Sequence, residues 1–378
     1  MKRLFFFLLN VTIGNTLSAQ YVGIGTTAPL ARLHVADSSV LFSAAGIVSG
    51  TPGNPPMQGG GRRMMWYADK AAFRAGYING NQWDKDNIGD WSVATGRLTI
   101  ASGEASTAIG ASTTASGLTS TAMGRLTTAS GDYSTSMGKY TNATGYASIA
   151  IGDSTLASGT MSFASGFRTT ASGFYSTALG ETTTATGNYS TALGRNTGAF
   201  GVASTAMGVG IQARGYAGTV IGMYNDPTMS PVEPFPSSIT PLFVIGNGDD
   251  DANRSNAMVV IKTGNVGIGT NVPAARLDVN ANFKLGANGT TLNDIIKSTE
   301  TYDIPSLAPG AVDIQTFAVT NATLGSVVSM SPFSSLPDGI TISYARVSAA
   351  GVVEVKVVNA GTVTQNPASM SFFLALIR

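Results

Sequence analysis

Residues 176–194 read Ser-Thr-Ala-Leu-Gly-Glu-Thr-Thr-Thr-Ala-Thr-Gly-Asn-Tyr-Ser-Thr-Ala-Leu-Gly. The same seven-residue glycine beat runs without a gap from Gly89 to Gly222. Alternate heptads differ, so the true period is fourteen. One half reads Ser-x-Ala-apolar-Gly, as in Ser120-Thr121-Ala122-Met123-Gly124, and the other reads Thr-x-Ala-Ser/Thr-Gly, as in Thr127-Thr128-Ala129-Ser130-Gly131. Self-similarity at a short fixed period marks a solenoid, whose single repeat cannot bury a core and must stack on its neighbours. Five β-tolerant residues followed by two variable ones suit a short strand and a tight turn. Two strands per fourteen residues then make one coil of a narrow β-roll. Strand alternation sends Ser, Ala and Gly to one face. That face must line the coil, since Ala and Gly leave room only for a thin interior. The closing glycines are expected to supply positive φ and close backbone approach.

The outward face decides the assembly. Before glycine, one half-repeat carries Ile109, Met123, Met137, Ile151, Leu179, Leu193, Met207 and Ile221. The other carries Ser102, Ser116, Ser130, Thr144, Ser158, Ser172 and Thr186. One side is therefore an apolar stripe and the opposite side a row of hydroxyls. A contiguous apolar strip is more than a soluble monomer normally exposes, and copies of the chain about an axis parallel to the roll would cover it. The stripe breaks at Ser165, with Phe163 two residues earlier as its filler. Periodicity alone predicts a homo-oligomer and does not choose between two and three subunits.

At these residues, about 91–224, the chain resembles the head of the trimeric autotransporter adhesins, the YadA-like left-handed parallel β-roll. The resemblance implies the left-handed sense, a homotrimer with the apolar residues on the threefold axis, and adhesion as the broad role. Members of that family end in a long coiled-coil stalk and four amphipathic membrane strands. This sequence has no sustained heptads and closes on Ala375-Leu376-Ile377-Arg378. The expectation is accordingly a secreted or surface-held chain without direct membrane insertion of its own.

Lys2-Arg3, the apolar run Leu4–Leu9 and Leu17-Ser18-Ala19 read as a secretory signal peptide cut after Ala19. With no cysteine, stability must come from stacking and association rather than disulfides. Charged residues are 11% of the chain, against about 25% in ordinary soluble domains. The net charge of +1 offers no electrostatic footprint for nucleic acid.

Val22-Gly23-Ile24-Gly25-Thr26 followed by Arg32-Leu33-His34-Val35 recurs as Val266-Gly267-Ile268-Gly269-Thr270 and Arg276-Leu277-Asp278-Val279. No helix or third glycine follows at the spacing a phosphate cradle needs. The pair reads as one structural joint used twice, and it resembles the joints of surface and tail-fibre-like bacterial proteins. The expected division is 1–19 leader, 20–90 N-terminal joint and cap, 91–224 roll, and 225–282 irregular segment and second joint. A short helical neck at 283–300, built on Thr291–Lys297, and an antiparallel β-sandwich at 301–378 complete it. The last resembles small trimeric tips of fibre-like proteins. The fold class is all-β.

Two surfaces are candidates for a ligand. Arg63, Trp66 and Tyr67 could stack on sugar rings, although Trp and Met there also suit the core of a cap over the first coil. Tyr133, Tyr175 and Tyr189 fall at related turn positions and could grip a polysaccharide or simply stack on one another. The Thr and Ser columns could in principle match an ice lattice. Asp249-Asp250-Asp251 lacks the spacing of a calcium loop and reads as a polar turn. His34 is the sole histidine, which leaves almost no raw material for a catalytic triad or metal site. No cofactor is expected. The functional expectation is a non-enzymatic surface fibre that binds glycan or matrix. The alternatives are a purely structural fibre and, behind it, a carbohydrate-active enzyme or an ice binder.

Overall fold

The computed structural model describes residues 21–228, 235–284, 287, 289 and 291–378. The leader expected at 1–19 lies outside them. The described residues are all-β, with two single-turn 3-10 segments and no α-helix. Two compact units divide the chain, one running to Ala143 and one from Thr144.

In the first unit, five-residue strands Val93–Arg97, Thr107–Ala111, Thr121–Arg125 and Thr135–Lys139 pair in parallel at an offset of one repeat. Two-residue strands from Ile100–Ala101 to Asn142–Ala143 form a second sheet by the same offset. The interior is a column of alanines, Ala94, Ala101, Ala108, Ala115, Ala122 and Ala129, all at 0% exposure. Beside them lie buried Ser and Thr hydroxyls, and Ser106 Oγ donates to the Gly103 carbonyl at 2.7 Å. Ser136 replaces alanine in this column and stays satisfied, its Oγ 2.9 Å from the Thr141 carbonyl and 2.7 Å from Thr141 Oγ1.

An antiparallel hairpin, Gly61–Tyr67 with Ala72–Ile78, joins the first coil strand edge-on. Its inner face packs Met65, Tyr67, Ala72, Ile78, Trp83 and Ile88 into a small core. Arg74 takes the interior register position of Ala94 and is fully buried. Its guanidinium donates to the Ser92 carbonyl at 2.9 Å, the Ser92 hydroxyl at 2.8 Å and the Ala101 carbonyl at 3.0 Å. Burial lowers its pKa to about 10, so it remains a cation at neutral pH. An open solenoid end needs such a closure, because unpaired carbonyls in a dry interior are costly.

The second unit repeats the coil from Ile149–Asp153 to Thr219–Met223. There the parallel sheet gains Pro241–Asn247, then Asn256–Ile261 in antiparallel sense. Asn225 closes the short-strand sheet by imitating a strand. Its side-chain carbonyl accepts from the Gln212 amide at 2.7 Å, and its Nδ2 donates to the Gln212 carbonyl at 3.0 Å.

The glycines differ in part from expectation. In the apolar half-repeat they do hold positive φ, for example Gly180 at +122°. In the other half, Gly173 is not in that region, yet an added Cβ would sit 2.1 Å from the Gly187 carbonyl oxygen. The left-handed turn falls two residues after each glycine, on Tyr175 (φ 56°), Thr182 (φ 53°) and Tyr189 (φ 61°). Close approach between coils is thus the common reason for glycine.

The helix expected over Thr291–Lys297 is absent. Thr291–Leu292 and Ile295–Tyr302 are strands, the latter pairing along its whole length with Met370–Ile377. Ile295, Ile296, Thr299 and Thr301 are β-branched, and alternation buries Tyr302 in the sandwich core. Sheet pairing outweighs a two-turn helix that cannot nucleate alone. Two three-stranded antiparallel sheets then face each other over Tyr302, Phe317, Val355, Phe372 and Leu374.

Candidate functional site

The long-strand sheet presents one apolar face outward in each unit. In the first, Ile109, Met123 and Met137 stand directly opposite one another, after Thr95 and Ala75. In the second, Ile151, Ser165, Leu179, Leu193, Met207 and Ile221 form the corresponding column. These side chains point away from alanines at 0% exposure, and Met207 is 43% exposed. Phe163 stands between Ile149 and Thr177 in the adjacent column, beside the gap at Ser165.

The face extends beyond the repeats. Ile245 stands opposite Ile221, then Met258 and Ile268 follow in register, with Phe243 and Val260 alongside. The unbroken glycine beat ends at Gly222, yet Val244-Ile245-Gly246 repeats Val220-Ile221-Gly222. The intervening irregular segment hid that signal. In the first unit the same face carries Phe73 and Val93, with Met64 and Trp66 on the hairpin's outer strand. Val40, Leu41 and Phe42 approach them, and the groove between has a volume of about 710 Å³.

The Arg63, Trp66, Tyr67 surface does not exist as a unit. Tyr67 is 2% exposed and its hydroxyl donates to the Gly53 carbonyl. Burial raises its pKa first, with Asp69 and Asp90 adding to the rise. Arg63 donates to the carbonyls of Met57 and Gly59 and lies 5.7 Å over the Trp83 ring. Only Trp66 faces outward, at 37% exposure, and it shares the apolar face. Strand alternation explains the split, since Tyr67 follows Trp66 and must face the other way.

At the turns, Tyr175 and Tyr189 stack with centroids 5.4 Å apart and planes 5° from parallel. One face of each ring is taken by the other, and both rings stay half or more exposed, Tyr175 at 50% and Tyr189 at 62%. Tyr133 is exposed on the first unit.

The two joints are the same device. Val22–Ile24 runs parallel to Leu33–Val35, and Val266–Ile268 to Leu277–Val279. In the first, the Leu30 amide donates to His34 Nδ1 at 3.2 Å, and in the second the Ala274 amide donates to Asp278 Oδ2 at 2.8 Å. His34 therefore holds a turn. Asp250 likewise accepts from the backbone amide of Asn253 at 2.8 Å, from the Asn253 side chain at 3.1 Å and from the Ala252 amide at 2.8 Å, and these bonds, Asn253's first, lower its pKa. Among the described residues no group of three or more His, Asp or Glu side chains is placed to hold a metal ion. No helix among them is long and apolar enough to cross a membrane.

A family model, the YadA head domain repeat (two copies), matches residues 88–113, 101–126, 115–141, 143–169 and 171–197. No curated protein matches the chain. The repeats are those of a YadA-like adhesin head, in keeping with the parallel fourteen-residue coils.

Proposed function

We propose that this chain is an exported, non-enzymatic surface fibre of the adhesin type, in which three copies meet along the outward apolar face. YadA-like heads form homotrimers and stand on bacterial surfaces. The observation that carries the reading is the inversion of sizes. Alanine fills the inside while Ile, Met and Leu stand outside in one column. A water-facing column of this kind is explained by a partner with the same column.

The interface takes in Ile245, Met258 and Ile268 in the second unit and Phe73, Met64 and Trp66 in the first, since they stand in register with the repeats. Trp66 belongs to assembly rather than to a ligand. The hydroxyl-bearing sheet stays on the far side, free to meet glycan or matrix.

Sedimentation equilibrium on the full chain tests the assembly. The expected mass is close to three times the chain's 38.6 kDa, less any leader removed. A folded monomer at micromolar concentration would overturn the reading.

A further inference from the structure

We infer that the short-strand sheet of the second unit carries a binding subsite for a neutral pyranose, floored by Phe200. The inference deepens the proposed adhesive role, and rests on it only for the site's biological use. The repeat departs from its own pattern at two positions here. Gly198 stands between Thr184 and Gln212 in a column otherwise filled by side chains. Phe200 stands where Ser172 and Thr186 stand in the two preceding repeats.

The two departures belong together. A Cβ on Gly198 would lie 2.3 Å from Phe200 Cζ. The outer edge of the ring thus folds back over the strand, into the space that the missing side chain vacates. A half-buried aromatic plate results, in a polar groove of about 320 Å³.

Polar groups surround the ring. Thr184 and Gln212 flank Gly198 on the two neighbouring strands, and Asn196, Arg254 and Asp251 complete the lining. Arg254 is fixed before any ligand arrives. Its Nη1 donates to the Gly210 carbonyl at 2.7 Å and the Asn225 carbonyl at 3.1 Å, and its Nη2 pairs with Asp251. Gln212 is held through Oε1 by Arg214 at 2.8 Å.

The chemistry selects the ligand class. A flat apolar floor suits the C–H face of a sugar ring, and flanking groups of both donor and acceptor type suit its hydroxyls, which do both. The guanidinium is already committed to a carboxylate and two carbonyls, which argues against a phosphate or sulfate. The same balance favours a neutral sugar. The groove lies on the sheet opposite the apolar face, so assembly through that face leaves it open.

The test uses the full chain and a panel of neutral oligosaccharides of glucose, mannose, galactose and N-acetylglucosamine, read by isothermal titration and saturation-transfer NMR. At least one should bind with a Kd of about 1 mM or below, with ring protons showing the strongest transfer. The Gly198→Thr/Phe200→Ser variant restores the repeat pattern, so it folds as a regular coil. It should weaken binding at least about tenfold while keeping its mass and melting temperature. Phe200→Tyr should retain binding. Failure of the whole panel to bind, or equal binding by the double variant, overturns the site. A monomeric mass with binding intact would instead overturn the trimer and leave the site standing.

Discussion

Leu179→Asp with Leu193→Asp is expected to turn the proposed trimer into folded monomers. Leu179 and Leu193 are already partly covered in the single chain, so assembly withdraws only part of each side chain, about 0.7 kcal/mol of a full value of about 2 kcal/mol. Six such side chains contribute about 4 kcal/mol, and the larger part of the effect is the cost of burying six unpaired carboxylates about one axis. The coil itself should survive, because these side chains point away from the alanine interior. Sedimentation velocity should report one chain, and far-UV dichroism should keep its β signature. Ser172→Asp with Thr186→Asp, on the hydroxyl side, should leave the trimer intact. A trimer in the leucine variant would place the interface elsewhere.

Gly180→Ala should be severely damaging, as should the same change at Gly166 or Gly194. Gly180 sits at φ +122°, where an L side chain is strained. Its new Cβ would lie 2.0 Å from the Gly194 carbonyl oxygen, and that atom is backbone. Neither rotamer change nor local repacking relieves the clash, so adjacent coils must separate and lose ladder hydrogen bonds. A loss above about 4 kcal/mol is expected, the range reserved for specific mechanisms of this kind. In thermal melts this is a drop of about 8–16 °C. Ser172→Ala, at an exposed position, should stay within about 0.5 kcal/mol of the parent. Equal melting temperatures for the two variants would mean that the coils do not approach as closely as the glycine ladder requires.

The roll was legible because its rule is local and repeated. A Ser-x-Ala-apolar-Gly pentad states strand, inner face and close approach together, and the offset of one repeat between paired strands follows from it. The glycines of the apolar half-repeat hold the expected positive φ, but the left-handed turn itself lies two residues after each glycine. Nothing in the side chains of Thr182 or Tyr189 announces a left-handed backbone, which the packed coil imposes against a cost of about 1–2 kcal/mol each.

Non-repeating parts were harder to read. Thr291–Lys297 reads as a short amphipathic helix because the partner of the strand that begins within it, Ile295–Tyr302, is Met370–Ile377, far along the chain. Tertiary pairing overrode local pattern there. At the hairpin, Trp66 and Tyr67 were read together as a surface, and pleat alternation separates them. The Phe200 groove has no signature in the sequence. A phenylalanine in place of serine reads as a lapse in the repeat until the geometry relates it to Gly198.

Cysteine cross-linking tests the central claim most directly, and the chain has no native cysteine to confuse it. Leu193→Cys places a thiol on the apolar column, and Thr170→Cys places one on the opposite sheet. Under mild oxidation, Leu193→Cys should give a covalent dimer on a non-reducing gel, since two of three thiols around an axis can pair, while Thr170→Cys stays single. Cross-linking through Thr170→Cys with none through Leu193→Cys would contradict the account.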